Sequence, residues 1–382
     1  MERQTKNKPC VIFVANRGYA LTSSRANLIR RFLASDWNVV IATADDAESR
    51  SLTDMGALLE PVVFNRGGLT LSADLSCYFR LCSIYRRWRP ALLHHFNAKP
   101  VLFGSLVARQ VLGGRVRVVN TITGLGQAFT AGGLSAGLAA LGYRAAIPRS
   151  DVTIFQNRDD RALFLERNWV SDAAARLVAG SGVDINRFTP ADRNGRDNHA
   201  PVIVMIGRLL RQKGIPEFVQ LAKDIRGLRP GARFLLAGEE ESRSPDAVSA
   251  DWLHQQSSIE FLGRLVDVAP LLQQADLFLF PSYYREGVPR VVLEASAMGL
   301  PTVGFDVPGV REAIRDGETG YLVKNRDLAT MTARVDELLD DPRLRLRMGQ
   351  NARKLAEDCF DLRVIEERYF ELYRELGLEI NP

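Results

Sequence analysis

Two stretches of the 382-residue chain combine side chains whose types and spacing can hold an anionic, hydroxyl-rich ligand. In "IGRLLRQKGIPEFVQLA" (206–222) an apolar run ends at Gly207, and Arg208 and Lys213 follow before a helical pattern that starts near Pro216. Two cations beside a helix N-terminus suit a diphosphate, because fixed charge, free backbone N–H groups and the helix dipole all act in the same direction. In "FPSYYREGVPRVVLEASAMGLPTVGFD" (280–306) Glu286 and Glu294 stand eight residues apart. Pro289 fits the first turn of a helix through "RVVLEASAMG", which leaves the N–H groups of Gly287 and Val288 available. Carboxylates repel phosphate, but they accept well from the hydroxyls of a sugar or ribose. A cation pair joined to such a carboxylate pair is what a nucleotide-sugar requires.

No Asp-x-Asp element stands at a strand end to carry a divalent metal. Asp45 and Asp46, Asp159 and Asp160, and Asp340 and Asp341 are adjacent pairs that read as solvated loop or helix-cap residues. The four cysteines (Cys10, Cys77, Cys82, Cys359) show no C-x2-C spacing, and with only four histidines a dedicated zinc site is not indicated. The reading therefore needs neither metal nor cofactor, and a reducing, cytoplasmic compartment fits it.

A third stretch, "CYFRLCSIYRRWRPALL" (77–93), mixes aromatics with Arg80, Arg86, Arg87 and Arg89. It reads either as an interfacial helix on an anionic membrane or as a domain-covering helix with a basic solvated face. From Val118 to Tyr143 there is no charged side chain, yet the segment is rich in Thr and Gly and contains Asn120 and Gln127. That composition favours a buried or membrane-touching segment over a spanning helix. The net charge of +5 is split: residues 1–190 carry 24 basic against 14 acidic side chains (+10), and the remainder 26 against 31 (−5). The basic half suits an anionic membrane surface or a phosphate-bearing substrate. Nucleic acid is not indicated, since no signature for it appears. The opening residues 1–9 are polar and the apolar run after them has six residues, so no signal peptide is read there.

The elements that position these residues alternate short apolar runs with helical stretches. Runs at 10–15, 38–44, 117–122 and 151–157 read as buried parallel strands, and the rhythm repeats at 201–207, 232–238, 259–263, 276–282 and 301–305. Two such series imply two doubly wound α/β domains. The expected organisation is a first domain over 1–190, a polar boundary at 190–200, a second domain over 200–360, and a C-terminal amphipathic helix in 361–382 packing back toward the first domain. Loops after Gly207, Gly238, Gly263 and Ser282 should converge beyond the carboxyl ends of the second sheet.

Arg208, Lys213, the Glu286-x7-Glu294 element and "GSGVDINRF" (180–188) together resemble the retaining glycosyltransferases of family 4, which have the GT-B fold of two Rossmann-like domains facing a cleft. The segments "HHFNAKPVLFG" (94–104) and "NTITGLGQAFTAGG" (120–133) are similar to a bacterial branch that builds polysaccharides on polyprenyl-diphosphate carriers. The resemblance implies a metal-independent hexosyltransferase at the inner face of the plasma membrane, taking a nucleotide-sugar donor with uridine favoured over guanosine. By the same resemblance, Arg208 and Lys213 neutralise the donor diphosphate, Glu286 holds sugar hydroxyls and Glu294 the ribose. Gly263, Arg264 and Leu265 would flank the base, and Gly18 would let the first βα loop approach the ligand closely. Many relatives place a His where this chain has Thr123, before Gly124, so a His mechanism is not implied. His94, His95, Thr123 and Gly124 are the acceptor-side candidates, the two histidines being packed side chains otherwise. The competing readings are a nucleotide-sugar 2-epimerase and a non-catalytic nucleotide-sugar-binding partner in an assembly complex.

Overall fold

In the computed structural model, residues 8–65, 71–126, 133–191, 200–242 and 244–380 are described. The first sheet contains β1 (Cys10–Val14), β2 (Asn38–Thr43), β3 (Leu58–Pro61), β4 (Leu92–Phe96), β5 (Arg117–Ile122), β6 (Val152–Phe155) and β7 (Ala175–Leu177), in the order β3-β2-β1-β4-β5-β6-β7. The second contains β8 (Val202–Ile206), β9 (Arg233–Ala237), β10 (Glu260–Phe261), β11 (Leu277–Phe280), β12 (Thr302–Phe305) and β13 (Gly320–Val323), in the order β10-β9-β8-β11-β12-β13. Neighbouring strands pair in parallel in both. Helices cover both faces of such a sheet, so strands such as Val11–Phe13 and Ile203–Met205 are apolar throughout and fully buried. Each sheet reverses its order beside its first strand, between β1 and β4 and between β8 and β11. The loops at those reversals open the crevices where open α/β sheets bind ligands.

The chain divides into two units, Met1–Ala179 with Ile365–Pro382, and Gly180–Val364. The division falls at Gly180 rather than in the 190–200 stretch, most of which (192–199) lies outside the described residues. The reason is local packing. Val183 bridges to Asp361, and one guanidinium nitrogen of Arg353 donates to the carbonyls of Ile185, Phe188 and Ala297 at 3.1, 2.6 and 2.7 Å. These bonds tie residues 183–188 to the second unit.

The helix Leu362–Glu375 buries Ile365, Tyr369 and Tyr373, spaced four apart as one helical stripe, in the core of the first unit with Phe13, Phe32 and Trp37. Arg25, itself buried, donates to the Tyr369 hydroxyl at 2.9 Å and lies 4.7 Å from that ring's centroid. Strand β4 has its own pattern, since "LLHHF" carries two histidines inside a buried strand.

Candidate functional site

At the reversal of the second sheet, the loop after β8 meets the loop after β11. Gly214 makes this contact possible: its φ is +80°, and a Cβ there would fall 1.9 Å from the Pro281 carbonyl oxygen. Tyr283 N–H donates to Gln212 O at 3.0 Å, which joins the loops further on. Lys213 is thereby brought onto Glu286, and the two form an ion pair. Lys213 Nζ lies 4.9 Å from the ring centroid of Tyr284, and the Arg208 guanidinium 5.6 Å from it. Both cations thus sit over one aromatic ring. Arg208 Nη1 also lies 2.6 Å from Glu241 Oε2, in the acidic run after β9.

Burial sets the electrostatics. Lys213 is 7 % exposed, and desolvation pulls its ammonium below the usual lysine range, with the Glu286 carboxylate opposing that shift. Glu294, also 7 % exposed, is pushed up from the ordinary carboxylate range by burial, against the pull of Arg290 and Arg187. Its Oε1 lies 3.3 Å from Arg290 Nη2. Pro289 is the N-cap residue of the helix Arg290–Ala297 rather than within its first turn. The strand before it and the bend at Gly287 hold that N-terminus in place: Gly309, at φ +84°, lets its backbone pass where a Cβ would fall 1.9 Å from the Gly287 carbonyl. Val288 is buried and packs against Gly180.

Gly207 and Gly238 pack backbone to backbone, and Gly238 N–H donates to the Gly263 carbonyl at 2.9 Å. Gly263 turns at φ +67° after β10, followed by Arg264, whose Nη1 lies 3.4 Å from Glu239 Oε1, and by half-buried Leu265. The second unit therefore gathers Gly207, Arg208, Lys213, Glu286 and Gly287 around its sheet reversal, with Glu294 one turn into the helix and Gly263–Leu265 two strands away. Tyr284 and Glu241 were missed in the sequence reading. The signals for them are an aromatic two residues before Glu286 and three consecutive glutamates directly after β9.

Among the first-unit assignments, the ligand roles of Gly18, His94 and His95 need correction. Gly18 is not spare space for a ligand: its φ is −54°, and a Cβ would fall 2.2 Å from Asp46 Oδ1 and 2.4 Å from Ser49 N. Its N–H donates to Asp46 Oδ2 at 3.0 Å, so its smallness serves the packing of two helix starts. His94 and His95 are packed histidines with no surface exposure. His94 Nδ1 lies 2.6 Å from the Tyr373 hydroxyl and Nε2 2.8 Å from Thr121 Oγ1. His95 Nδ1 lies 2.8 Å from Asn120 Oδ1 and Nε2 2.9 Å from the Tyr85 hydroxyl. All four ring nitrogens are occupied. Burial lowers both, His94 well below the usual range and His95 to about 4, so both are neutral imidazoles at pH 7. Thr123 and Gly124 lie just past β5, and Thr123 Oγ1 accepts from Asn97 Nδ2 at 3.0 Å.

The basic helix is also more inward-looking than its composition suggests. Within Leu71–Trp88, Arg80 and Arg87 pair at 3.0 and 3.1 Å with Glu60, whose side chain is 7 % exposed, and Trp88 Nε1 donates to the same carboxylate at 2.8 Å. The exposed apolar side chains are instead Leu75 and Phe79 on this helix, and Leu138 and Leu141 on the helix Gly133–Ala146. Part of the uncharged stretch, residues 127–132, lies outside the described residues. No helix among the described residues is long and apolar enough to cross a membrane.

Residues 187–355 match the family described as glycosyl transferases group 1, and residues 10–157 the family described as glycosyl transferase 4-like. Over 94% of its length the chain is 26% identical to 97% of the N,N'-diacetylbacillosaminyl-diphospho-undecaprenol alpha-1,3-N-acetylgalactosaminyltransferase of Campylobacter jejuni. It is 23% identical to the capsular polysaccharide biosynthesis glycosyltransferase CapM of Staphylococcus aureus, covering 88% of this chain and 89% of that one. Among solved structures, a sucrose-phosphate synthase from Thermosynechococcus elongatus superposes with a TM-score of 0.78 at 19% identity, covering 97% of this chain and 99% of the other. Anabaena HepE in complex with UDP and glucose superposes with a TM-score of 0.75 at 18% identity, covering 96% and 100%.

Proposed function

From its membership of the group 1 glycosyltransferases, with the GT-B fold, we propose that this protein moves a sugar, with retention, from a uridine-diphosphate donor to a glycan on a lipid carrier. The observation that carries the reading is the meeting of Arg208, Lys213 and Glu286 around Tyr284 at the reversal of the second sheet. Arg208 and Lys213 supply the positive charge that a departing diphosphate needs, and preorganised charge of this kind is often the largest catalytic contribution. Glu286 and Glu294 supply acceptors for sugar and ribose hydroxyls. The departing phosphate takes the acceptor's proton on the face it leaves. No enzyme base is then required, in keeping with the saturated hydrogen bonding of His94 and His95. The same saturation argues against an epimerase, which would need free ionisable groups. The diphosphate site is built from cations, so the proposal includes no metal.

The lipid-carrier acceptor is supported by the Campylobacter relative, whose name specifies an undecaprenol-linked substrate. A position at a membrane interface is supported by the exposed apolar pairs Leu75 and Phe79 on one helix and Leu138 and Leu141 on another. The test is a thermal-shift panel of UDP, GDP and their sugars, followed by transfer of labelled sugar to a polyprenyl-diphosphate-linked acceptor with and without EDTA. A shift by UDP and EDTA-resistant transfer support the proposal. The donor assignment falls if no nucleotide raises the melting temperature, and the metal-free mechanism falls if EDTA abolishes transfer and Mn²⁺ restores it.

A further inference from the structure

The helix Arg290–Ala297 begins without the features that usually stabilise a helix start. Its N-cap residue, Pro289, makes no side-chain cap, and the first turn carries no acid. The first residue is instead a cation, Arg290, placed where the helix dipole is itself positive. Arg290 Nη2 lies 3.3 Å from Glu294 Oε1, one turn further on. As a helix-stabilising pair this order is the poorer one, because the acid is better placed N-terminal to the base. Helix stability therefore does not account for Arg290, and the surroundings of Glu294 do.

The Glu294 side chain is 10% exposed, against 26% for that of Arg290, and a carboxylate so buried is costly unless a cation meets it. Among the described residues, the charged groups that act on it are Arg290 on its own helix, Arg187 from the segment 183–188 and Asp267 from the loop after β10. Arg187 Nη2 lies 2.9 Å from Asp267 Oδ1, and both of those side chains are about half exposed. Asp267 also accepts from the Ala269 N–H at 3.0 Å, which fixes it in the loop that begins at Gly263. Arg187 is thus shared with an acid whose own charge repels Glu294, and the cation in contact with Glu294 is Arg290.

We propose that Arg290 is a positioning residue for the donor: it holds the Glu294 carboxylate ionised and oriented, so that both oxygens accept from the ribose hydroxyls. The inference rests on the ribose role of Glu294 in the proposed donor complex. An ionised carboxyl offers acceptors only and suits two neighbouring hydroxyls, whereas a neutral one turns an oxygen into a donor. Burial pushes Glu294 up from the ordinary carboxylate range, and Arg290 is the first of the cations opposing that shift. Without the Arg290 charge, Glu294 should take up its proton at a pH where the wild type keeps it ionised.

The test is calorimetry of UDP and 2′-deoxy-UDP with the full chain from about pH 5 to about pH 8, an interval above the ordinary glutamate range. The ratio of the two affinities cancels the titration of their common diphosphate and reads the ribose contact. Wild type should prefer UDP about tenfold across the interval, the size of one hydrogen bond. In Arg290→Gln the preference should fall toward parity at the acid end and return at the alkaline end. Arg290→Lys, which keeps the charge, should stay as flat as the wild type. The proposal is overturned if Arg290→Gln keeps the wild-type preference in acid, or if Arg290→Lys titrates as Arg290→Gln does. It is also overturned if Arg290→Gln loses the preference by one factor at every pH, as a merely structural role would. Glu294→Gln, which cannot ionise, should show the reduced preference at every pH. If it keeps the full preference, or if wild type binds no UDP, the ribose role of Glu294 falls and takes the proposal with it. If Glu294→Gln loses the preference while Arg290→Gln does not titrate, the proposal alone falls.

Discussion

Replacing Glu241 with Gln should tighten donor binding rather than weaken it. Glu241 Oε2 lies 2.6 Å from Arg208 Nη1, and Glu239 Oε1 lies 3.4 Å from Arg264 Nη1. The acidic run after β9 therefore already neutralises two cations assigned to the donor, and a diphosphate has to displace the first contact before it can use Arg208. The two side chains are 42% and 29% exposed. Solvent-screened pairs of this kind contribute about 0.2–1 kcal/mol. Gln keeps the shape and removes the charge, so donor KM should fall by a factor of about 1.5 to 5. The difference between variant and wild type should shrink with added salt, because the competing interaction is screened. The assay is donor KM at low and high salt, with calorimetric UDP binding as a check that needs no acceptor. A donor affinity that drops in Glu241→Gln would refute the reasoning and make Glu241 a ligand-binding group.

Arg208→Ala and Lys213→Ala should each lower turnover by roughly two to three orders of magnitude. They should differ in melting temperature, Arg208→Ala staying near wild type and Lys213→Ala falling because Glu286 loses its buried partner; wild-type turnover in both would remove them from the donor site. Stability of the first unit should decline in acid. His95 titrates near 4 in the fold against about 6.5 unfolded, so the unfolded chain binds the extra proton. Its contribution is complete above pH 6.5 and is lost as pH falls toward 4, by about 3 kcal/mol at most. His95→Gln should flatten the pH dependence of melting over that interval, and an unchanged slope would contradict it. Phe79→Asp combined with Leu141→Asp should release the protein from anionic vesicles more completely than Arg86→Glu, as judged by co-sedimentation; the reverse order would return the membrane contact to the basic side chains.

The fold was legible because parallel strands covered on both faces leave continuous apolar runs, as in "CVIFVA" and "PVIVMIG". β3, β7 and β13 carry no such run. They lie at or near sheet edges and are only partly buried, so nothing in their composition separates them from loops. Arg208 and Lys213 were legible as a pair because both stand in the loop that follows β8. The histidines were not. Adjacent residues on a strand face opposite sides of the sheet, so His94 reaches Tyr373 from the last helix while His95 reaches Tyr85 from the helix Leu71–Trp88. Tyr373 is 279 residues from His94, and Tyr85, though only ten residues from His95, lies on another element, so no local pattern reports that a ring is already satisfied. Arg80 and Arg87 were misread in the same way, because Glu60 lies on another element.

Glu286 was assigned to sugar hydroxyls, yet in the unliganded fold it is the counter-ion of Lys213. The two roles are compatible in sequence. Burial lowers the Lys213 ammonium from the usual lysine range, and the Glu286 carboxylate opposes that shift. In the proposed donor complex the diphosphate would take over part of the pairing with Lys213, which would leave the Glu286 carboxylate to accept from hydroxyls of the donor's sugar. Glu241 likewise pairs with Arg208, whose guanidinium is charged with or without it. Arg208 and Lys213 are thus each paired with a carboxylate, Glu241 and Glu286, that the phosphates of the proposed donor would displace.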